Sequence, residues 1–108
     1  MIYISGKITD NPNYKEEFDK AEEWLKERGE IPINPIKVKD ICDTLSYEQF
    51  MKIDYCLIDM CDALFMLRGW QDSKGALSEM CYAKSLGKDI IYQGYYHRRN
   101  KNEKRNSN

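Results

Sequence analysis

The stretch ALFMLRGW at residues 63–70 decides the fold. Its first five residues form a continuous apolar run, and such runs are typical of a strand that is covered on both faces of a sheet. Strands of this kind belong to parallel sheets, in which helices connect successive strands and pack on both faces. The turn that follows, at residues 68–70, therefore lies at the carboxyl end of a strand, where parallel sheets bind their ligands.

Strand-like and helical segments alternate on both sides of this run. The pattern predicts strands at 2–5, 31–35, 63–67 and 89–92, and helices at about 13–28, 46–60 and 75–86. Residues 36–45 are predicted to be irregular. Ser46 is a candidate N-cap, and Gly29 and Gly87 are candidate helix stops.

The order β-α-β-α-β-α-β predicts an α/β fold. We expect a three-layer sandwich, in which a flavodoxin-like four-stranded parallel sheet in the order 2-1-3-4 carries helices on both faces. One domain is expected over residues 1–94, followed by a basic tail over residues 95–108. A chain of 108 residues, 42% of them hydrophobic, has room for one such core and not for two.

Charge and hydropathy narrow the classes of partner. The tail carries five basic residues and one acidic residue, so the net charge of −1 leaves −5 on residues 1–94. Nucleic-acid-binding domains carry their basic face on the folded part, and we expect no specific nucleic-acid partner. No apolar stretch is long enough to span a membrane, and the N-terminus lacks the features of a secretory leader. We therefore expect a cytoplasmic protein without a membrane partner.

The cysteines and the single histidine restrict the chemistry further. Cys42, Cys56, Cys61 and Cys81 contain no C-x-x-C pair, and His97 lies in the tail. Zinc sites need closely spaced Cys or His ligands, and no dinucleotide-binding, P-loop or zincin motif is present. We expect no metal site and no cofactor. Each cysteine lies in an apolar run and is interpreted as a buried thiol of a reducing compartment.

Two carboxylates lie on helical stripes of small and apolar residues. On its stripe, Glu79 is expected to face the sheet near the start of the third predicted helix. The alternative is a place at the edge of the stripe, paired with Lys74 or Lys84. Asp54 lies on the apolar stripe of the second predicted helix, and a buried acid is costly unless it is hydrogen-bonded or used. Its alternative is a position just off the buried face.

The remaining candidates follow the first and third predicted strands at the ligand-binding edge of the sheet. They are Ser5, Gly6, Lys7, Gly69, Trp70, Ser73 and Gly75. Residues 5–7 are a candidate anion loop. Ser73 is a natural N-cap, and a helix N-terminus offers free amides and a positive dipole end to a phosphate; the alternative is an ordinary capped helix start. Trp70 either stacks on a base or covers the core.

The order and spacing of these residues resemble a known family. The residues concerned are Tyr3-Ile4-Ser5-Gly6, Ile33-Asn34-Pro35, Asp54, Asp62, Gly69-Trp70, Ser73, Gly75-Ala76, Glu79, Ala83 and Gly87-Lys88. Over roughly residues 1–92 they resemble the nucleoside 2-deoxyribosyltransferase superfamily. The resemblance is greatest to a small branch of uncharacterised phage and bacterial proteins, and it extends to the 2′-deoxynucleoside 5′-phosphate N-hydrolases.

The resemblance implies a small-molecule substrate, a nucleotide or nucleoside, that reacts at its N-glycosidic bond. Glu79 matches the family nucleophile, which attacks the anomeric carbon and forms a glycosyl-enzyme ester. Asp54 matches the acid that contacts the base or assists its departure, and Tyr3 matches an aromatic residue near the sugar. Ser73 and Gly6 match the phosphate side of the monophosphate hydrolases. Relatives complete this site from a neighbouring subunit, so we expect a homodimer or higher homo-oligomer without a cofactor.

Departures from the family leave alternatives open. Lys7 stands where the small branch often has proline, and no arginine follows it in the loop, so Lys7 would have to serve a phosphate as a point charge. Our main expectation is an enzyme that cleaves or transfers at the N-glycosidic bond of a (deoxy)nucleoside 5′-monophosphate. The first alternative is a module of the same fold that binds or sequesters a nucleotide without turnover. The second is a scaffold protein whose inward acids are accidents of packing.

Overall fold

The structure, a computed structural model, describes residues 1–97 of the chain. Its strands are β1 (Ile2–Ser5), β2 (Pro32–Ile33), β3 (Ala63–Met66) and β4 (Asp89–Tyr92). Its helices are α1 (Tyr14–Glu27), α2 (Ile36–Ile41), α3 (Tyr47–Asp59) and α4 (Lys74–Ser85), with a 3-10 turn at Trp70–Asp72. Most of the predicted basic tail, residues 98–108, lies outside the described residues.

The four strands form one parallel sheet in the order β2-β1-β3-β4, as predicted. β1 and β3 pair along their full length, with Ile2 opposite Ala63 and Ser5 opposite Met66. The strand predicted at 31–35 is only two residues long, because the chain turns into α2 directly afterwards. The switch in strand order falls between β1 and β3, so their carboxyl ends mark the ligand edge of the sheet.

The side chains of β1 point alternately to the two faces of the sheet and divide the core into two halves. Ile2 and Ile4 pack with Phe18 of α1 on one face of the sheet. Tyr3 packs with Met80 of α4 on the other face, in a cluster that also includes residues of α3. Burial of each large side chain contributes about 1.5–3 kcal/mol. Helices on both faces of the sheet complete the predicted three-layer α/β sandwich.

Helix ends follow the predicted signals. The Ser46 hydroxyl accepts a hydrogen bond from the Gln49 N–H (3.2 Å), and the Gln49 side chain accepts one from the Ser46 N–H (2.8 Å). This capping box sets the start of α3. Gly29 and Gly87 follow α1 and α4 with φ of 79° and 73°, conformations that favour glycine.

The prediction that residues 36–45 are irregular is wrong, because α2 occupies the first six of them. α2 is too short for a periodic pattern, and β-branched residues weaken its helix propensity. A side-chain cap and a contact with α1 stabilise it instead. The Asn34 side-chain oxygen accepts a hydrogen bond from the Ile36 N–H at its first turn (3.0 Å), and Lys37 pairs with Glu22 of α1 (2.7 Å).

The interpretation of all four cysteines as buried thiols is also wrong. Cys61 is buried, but Cys56 and Cys81 are exposed and Cys42 is half-buried. Cys56 and Cys81 lie on outward faces of α3 and α4, so their short apolar runs did not predict burial. In the part of the chain described, no helix is long and apolar enough to cross a membrane. No three His, Cys, Asp or Glu side chains within residues 1–97 could hold a metal ion.

Candidate active site

The Glu79 carboxylate is buried between α4 and the sheet, with 6% of the residue exposed. Its Oε2 accepts a hydrogen bond from the Tyr3 hydroxyl (2.8 Å) and its Oε1 accepts one from the Ser5 hydroxyl (2.7 Å). Tyr3 and Ser5 are alternate residues of β1, so both hydroxyls emerge on the face that α4 covers. Glu79 therefore faces the sheet as predicted, and the alternative pairing with Lys74 or Lys84 does not occur.

Asp54 of α3 contributes a second, half-buried carboxyl within hydrogen-bonding reach of Glu79 and of the Tyr3 hydroxyl. Burial, and then the charge of Asp54, raise the pKa of Glu79 well above its usual range. Burial also raises the pKa of Asp54, although its hydrogen bonds with Glu79 and Tyr3 oppose the shift. Burial and both carboxylates raise the pKa of Tyr3, so its phenol stays neutral.

The two carboxyl groups act as one titrating unit. A hydrogen bond between carboxyl groups requires a proton, and like charges in contact at a buried site disfavour the doubly ionised pair. The pair therefore retains one proton at a pH where isolated carboxyls have lost theirs. The Tyr3 and Ser5 hydroxyls both donate to Glu79, which favours its ionised form. Burial and Asp54 favour the proton on Glu79, whereas these two hydroxyls oppose them, so the proton belongs to the pair and not to one carboxyl.

A pocket opens above this pair at the carboxyl ends of β1 and β3. Its walls come from the loop after β1, from α2 and α3, and from the start of α4. The lining residues are Gly6, Ile8, Thr9, Lys39, Tyr47, Phe50, Met51, Asp54, Ser73, Gly75, Ala76 and Glu79. Its cavity volume of about 70 Å³ is small beside the roughly 300–1,000 Å³ of small-molecule sites.

Three residues predicted from loops lie in this pocket with the two acids. Gly6 lies at the end of β1, where an added Cβ would come within 2.9 Å of the Leu67 side chain. Ser73 caps α4, and its hydroxyl accepts a hydrogen bond from the Ala76 N–H (3.1 Å). Gly75 follows in the first turn, and an added Cβ there would meet no atom closer than 3.5 Å.

Lys7, Gly69 and Trp70 are not among the residues that line the pocket. Gly69 and Trp70 line a neighbouring cavity beside β4. The Trp70 ring packs on Tyr92, with ring centroids 5.6 Å apart, so this side chain covers the core between the 3-10 turn and β4. Lys7 is half-buried in the loop after β1, and its carbonyl accepts a hydrogen bond from the Asn11 side chain (2.8 Å).

Sequence reasoning missed the walls that α2 and α3 supply. Tyr47, Phe50 and Met51 lie seven, four and three residues before Asp54, so all four occupy one face of α3. That spacing could have identified them, because residues three, four and seven positions from a pocket acid lie on the same face of its helix. Lys39 gave no such signal, because the helix that carries it was not predicted.

The family described as a domain of unknown function, DUF4406, matches residues 1–92. The chain belongs to the DUF4406 family. The match spans all four strands, all four helices and every residue of the pocket, so the site described here lies wholly inside the DUF4406 domain. No curated protein matches the chain.

Among solved structures, the DUF4406 chain is similar to a 2-desoxiribosyltransferase from Leishmania mexicana. The TM-score is 0.65 at 22% sequence identity, and the similarity covers 84% of this chain. The chain corresponds to 61% of the length of that protein. At this level of identity the likeness shows a common fold, and it agrees with the predicted nucleoside 2-deoxyribosyltransferase-like architecture.

Proposed function

We propose that this protein is an enzyme that cleaves or transfers at the N-glycosidic bond of a (deoxy)nucleoside 5′-monophosphate, with Glu79 as the nucleophile. The observation that carries the proposal is the buried Glu79 carboxylate, which two hydroxyls and a second carboxyl hold at the floor of a pocket. A structural carboxylate in a core is normally paired with a cation. An acid pair with perturbed pKa values in a cleft is instead a typical catalytic arrangement.

The chemistry needs one ionised and one protonated carboxyl. A Glu79 oxygen attacks the anomeric carbon while the bond from that carbon to the base nitrogen breaks, and Asp54 donates its proton to the departing base. The product is a glycosyl ester of Glu79. Water or a second base then attacks the anomeric carbon, Asp54 takes up the proton, and Glu79 leaves as a carboxylate. Hydrolysis and transfer differ only in this second nucleophile.

The hydroxyls on β1 tune the nucleophile. Both donate to the Glu79 carboxylate, so they hold its oxygens in place and moderate the rise in its pKa. Because Tyr3 and Ser5 lie on a buried central strand, the orientation of Glu79 is set by the sheet and not by a mobile loop. This rigidity suits a nucleophile that must approach one carbon atom from a fixed direction.

The size of the pocket supports an oligomeric enzyme. A volume of about 70 Å³ accommodates only part of a nucleotide, since small-molecule sites usually enclose about 300–1,000 Å³. Tyr47 lines the pocket and is 53% exposed, so the pocket wall continues into an uncovered surface. We propose that a second copy of the chain covers the open side, and that the complete site forms only in the homo-oligomer.

The test is base release from a panel of deoxynucleoside 5′-monophosphates and deoxynucleosides, followed by chromatography. Glu79→Gln keeps the shape of the side chain and removes the nucleophile, so we expect its turnover to fall by at least about 10³-fold. Glu48→Gln, an exposed acid in the first turn of α3, is the matched control and should retain full activity. Mass spectrometry of the quenched wild-type reaction should locate a deoxyribosyl or phosphodeoxyribosyl adduct on Glu79.

Three outcomes contradict the proposal in whole or in part. Absence of base release from every member of the panel would refute an enzyme of this class. Calorimetric binding of a nucleotide without turnover would instead support the binding or sequestering module. Full activity in Glu79→Gln would show that another group is the nucleophile.

A further inference from the structure

Lys39 is a pocket residue to which the chemistry above gives no role. Among the described residues that line the pocket, it is the one with a positively charged side chain. Its Nζ lies 4.6 Å from the centroid of the Phe50 ring on the opposite wall. No carboxylate within residues 1–97 lies at ion-pair distance from it. Lys39 therefore brings an unpaired charge to a site that holds two acids.

The position of Lys39 is fixed by the fold. It lies in the last turn of α2, and the first turn of this helix is tied to Asn34 through the Ile36 N–H (3.0 Å) and to Glu22 through Lys37 (2.7 Å). Asn34 also donates a hydrogen bond to the Glu22 carboxylate (3.0 Å). This network joins α2 to α1 and β2, so the backbone beneath Lys39 is anchored on two sides.

The charge of Lys39 reaches the acid pair, because it opposes the rise that burial causes in the pKa of Asp54. An anion that bound next to Lys39 would neutralise this effect and leave Asp54 more strongly protonated. Asp54 would then be better prepared to donate to a departing base. The placement links recognition of a charged substrate to the state of the acid that acts on it.

We propose that Lys39 binds the 5′-phosphate of the substrate and makes the enzyme selective for monophosphates over nucleosides. This assignment rests on the proposed function and names the residue that recognises the 5′-phosphate of its substrate. Lys39 of α2 thus takes the role of phosphate-binding cation that the sequence analysis gave to Lys7. The side chain of Lys7 is not part of the pocket wall. An ammonium on a flexible stem suits this task, since a phosphate offers oxygens in every direction.

The experiment compares deoxynucleoside 5′-monophosphates with the corresponding deoxynucleosides in wild type and variants. Lys39→Met keeps the stem over Phe50 and removes the charge, so we expect the ratio of kcat/KM for monophosphate to that for nucleoside to fall by roughly 10–100-fold. Lys39→Arg should restore most of this ratio. Lys7→Met tests the rival site directly, and Lys52→Met, an exposed lysine of α3, is the control for loss of surface charge.

Binding measured by calorimetry separates this assignment from the proposed reaction. If no variant releases base, but wild type binds monophosphate more tightly than nucleoside and Lys39→Met does not, the reaction is refuted and the phosphate site stands. The assignment is overturned if Lys7→Met, and not Lys39→Met, loses the preference. It is also overturned if Lys39→Met weakens both ligands equally, or if wild type binds neither ligand or both alike.

Discussion

Substitution of Glu22 tests the anchoring of α2 without any assumption about the reaction. The Glu22 side chain is 8% exposed and pairs with Lys26 (2.9 Å) and Lys37 (2.7 Å), while Asn34 donates to its other oxygen (3.0 Å). Burial raises the pKa of Glu22, but the hydrogen bonds from these three residues outweigh it and lower the pKa to about 2. Glu22→Gln keeps the bond from Asn34 and removes both ion pairs.

The magnitude follows from the pKa. A shift from 4.5 to about 2 corresponds to about 3 kcal/mol of stability at neutral pH. Lys26 and Lys37 are 51% and 63% exposed, so screening at physiological salt reduces the effect, and we expect Glu22→Gln to lower the free energy of unfolding by about 2 kcal/mol. Glu23→Gln, its exposed neighbour on α1, should change stability by less than about 0.5 kcal/mol.

The assay is urea denaturation followed by circular dichroism at several pH values. A carboxyl with a lowered pKa stabilises the folded state fully above the pKa of the unfolded chain, about 4.5, and loses that contribution as the pH falls towards 2. The difference between wild type and Glu22→Gln should therefore be greatest at pH 7 and shrink by pH 3. Equal stability of Glu22→Gln and Glu23→Gln at pH 7, or a difference that does not shrink with acid, would refute the reasoning.

Three further substitutions test the site. Tyr3→Phe removes the hydrogen bond that stabilises ionised Glu79, so the acidic limb of the kcat/KM profile should move up by about one pH unit; an unchanged limb would contradict the contact. Gly6→Ala places a Cβ 2.9 Å from Leu67 and should lower the free energy of unfolding by about 1–3 kcal/mol in urea. Gly75→Ala meets no atom within 3.4 Å, so it should fold normally yet weaken nucleotide binding in calorimetry; unweakened binding would place the ligand elsewhere.

The orientation of Glu79 was predictable from the sequence because helical spacing is a local property. The stripe of small and apolar residues predicted that Glu79 faces the sheet, and the alternation of strand and helix segments predicted a parallel sheet. In the same way, Ser46 predicted where α3 begins, and the apolar stripe of α3 predicted the side of the helix that carries Asp54.

What the sequence did not predict depends on contacts between distant residues. α2 is tied to Glu22 of α1, which lies 15 residues before Lys37 in the sequence, so neither the helix nor its residue Lys39 was predicted from local patterns. Trp70 follows the correct strand, but the 3-10 turn carries it to Tyr92 and away from the pocket. Local patterns predict which strand end a residue follows, and not the direction in which the following loop turns.

The alternation of side chains along β1 has a consequence for engineering the pocket of this protein. Tyr3 and Ser5 hold the Glu79 carboxylate while Ile2 and Ile4 fill the opposite core, so a slip of one residue in register would exchange the two sets and disrupt both. The pocket walls from α2 and α3 do not combine the site with the opposite core in this way. A library that varies the wall residues and leaves β1 unchanged would therefore alter the shape of the pocket and keep the hydrogen bonds to Glu79.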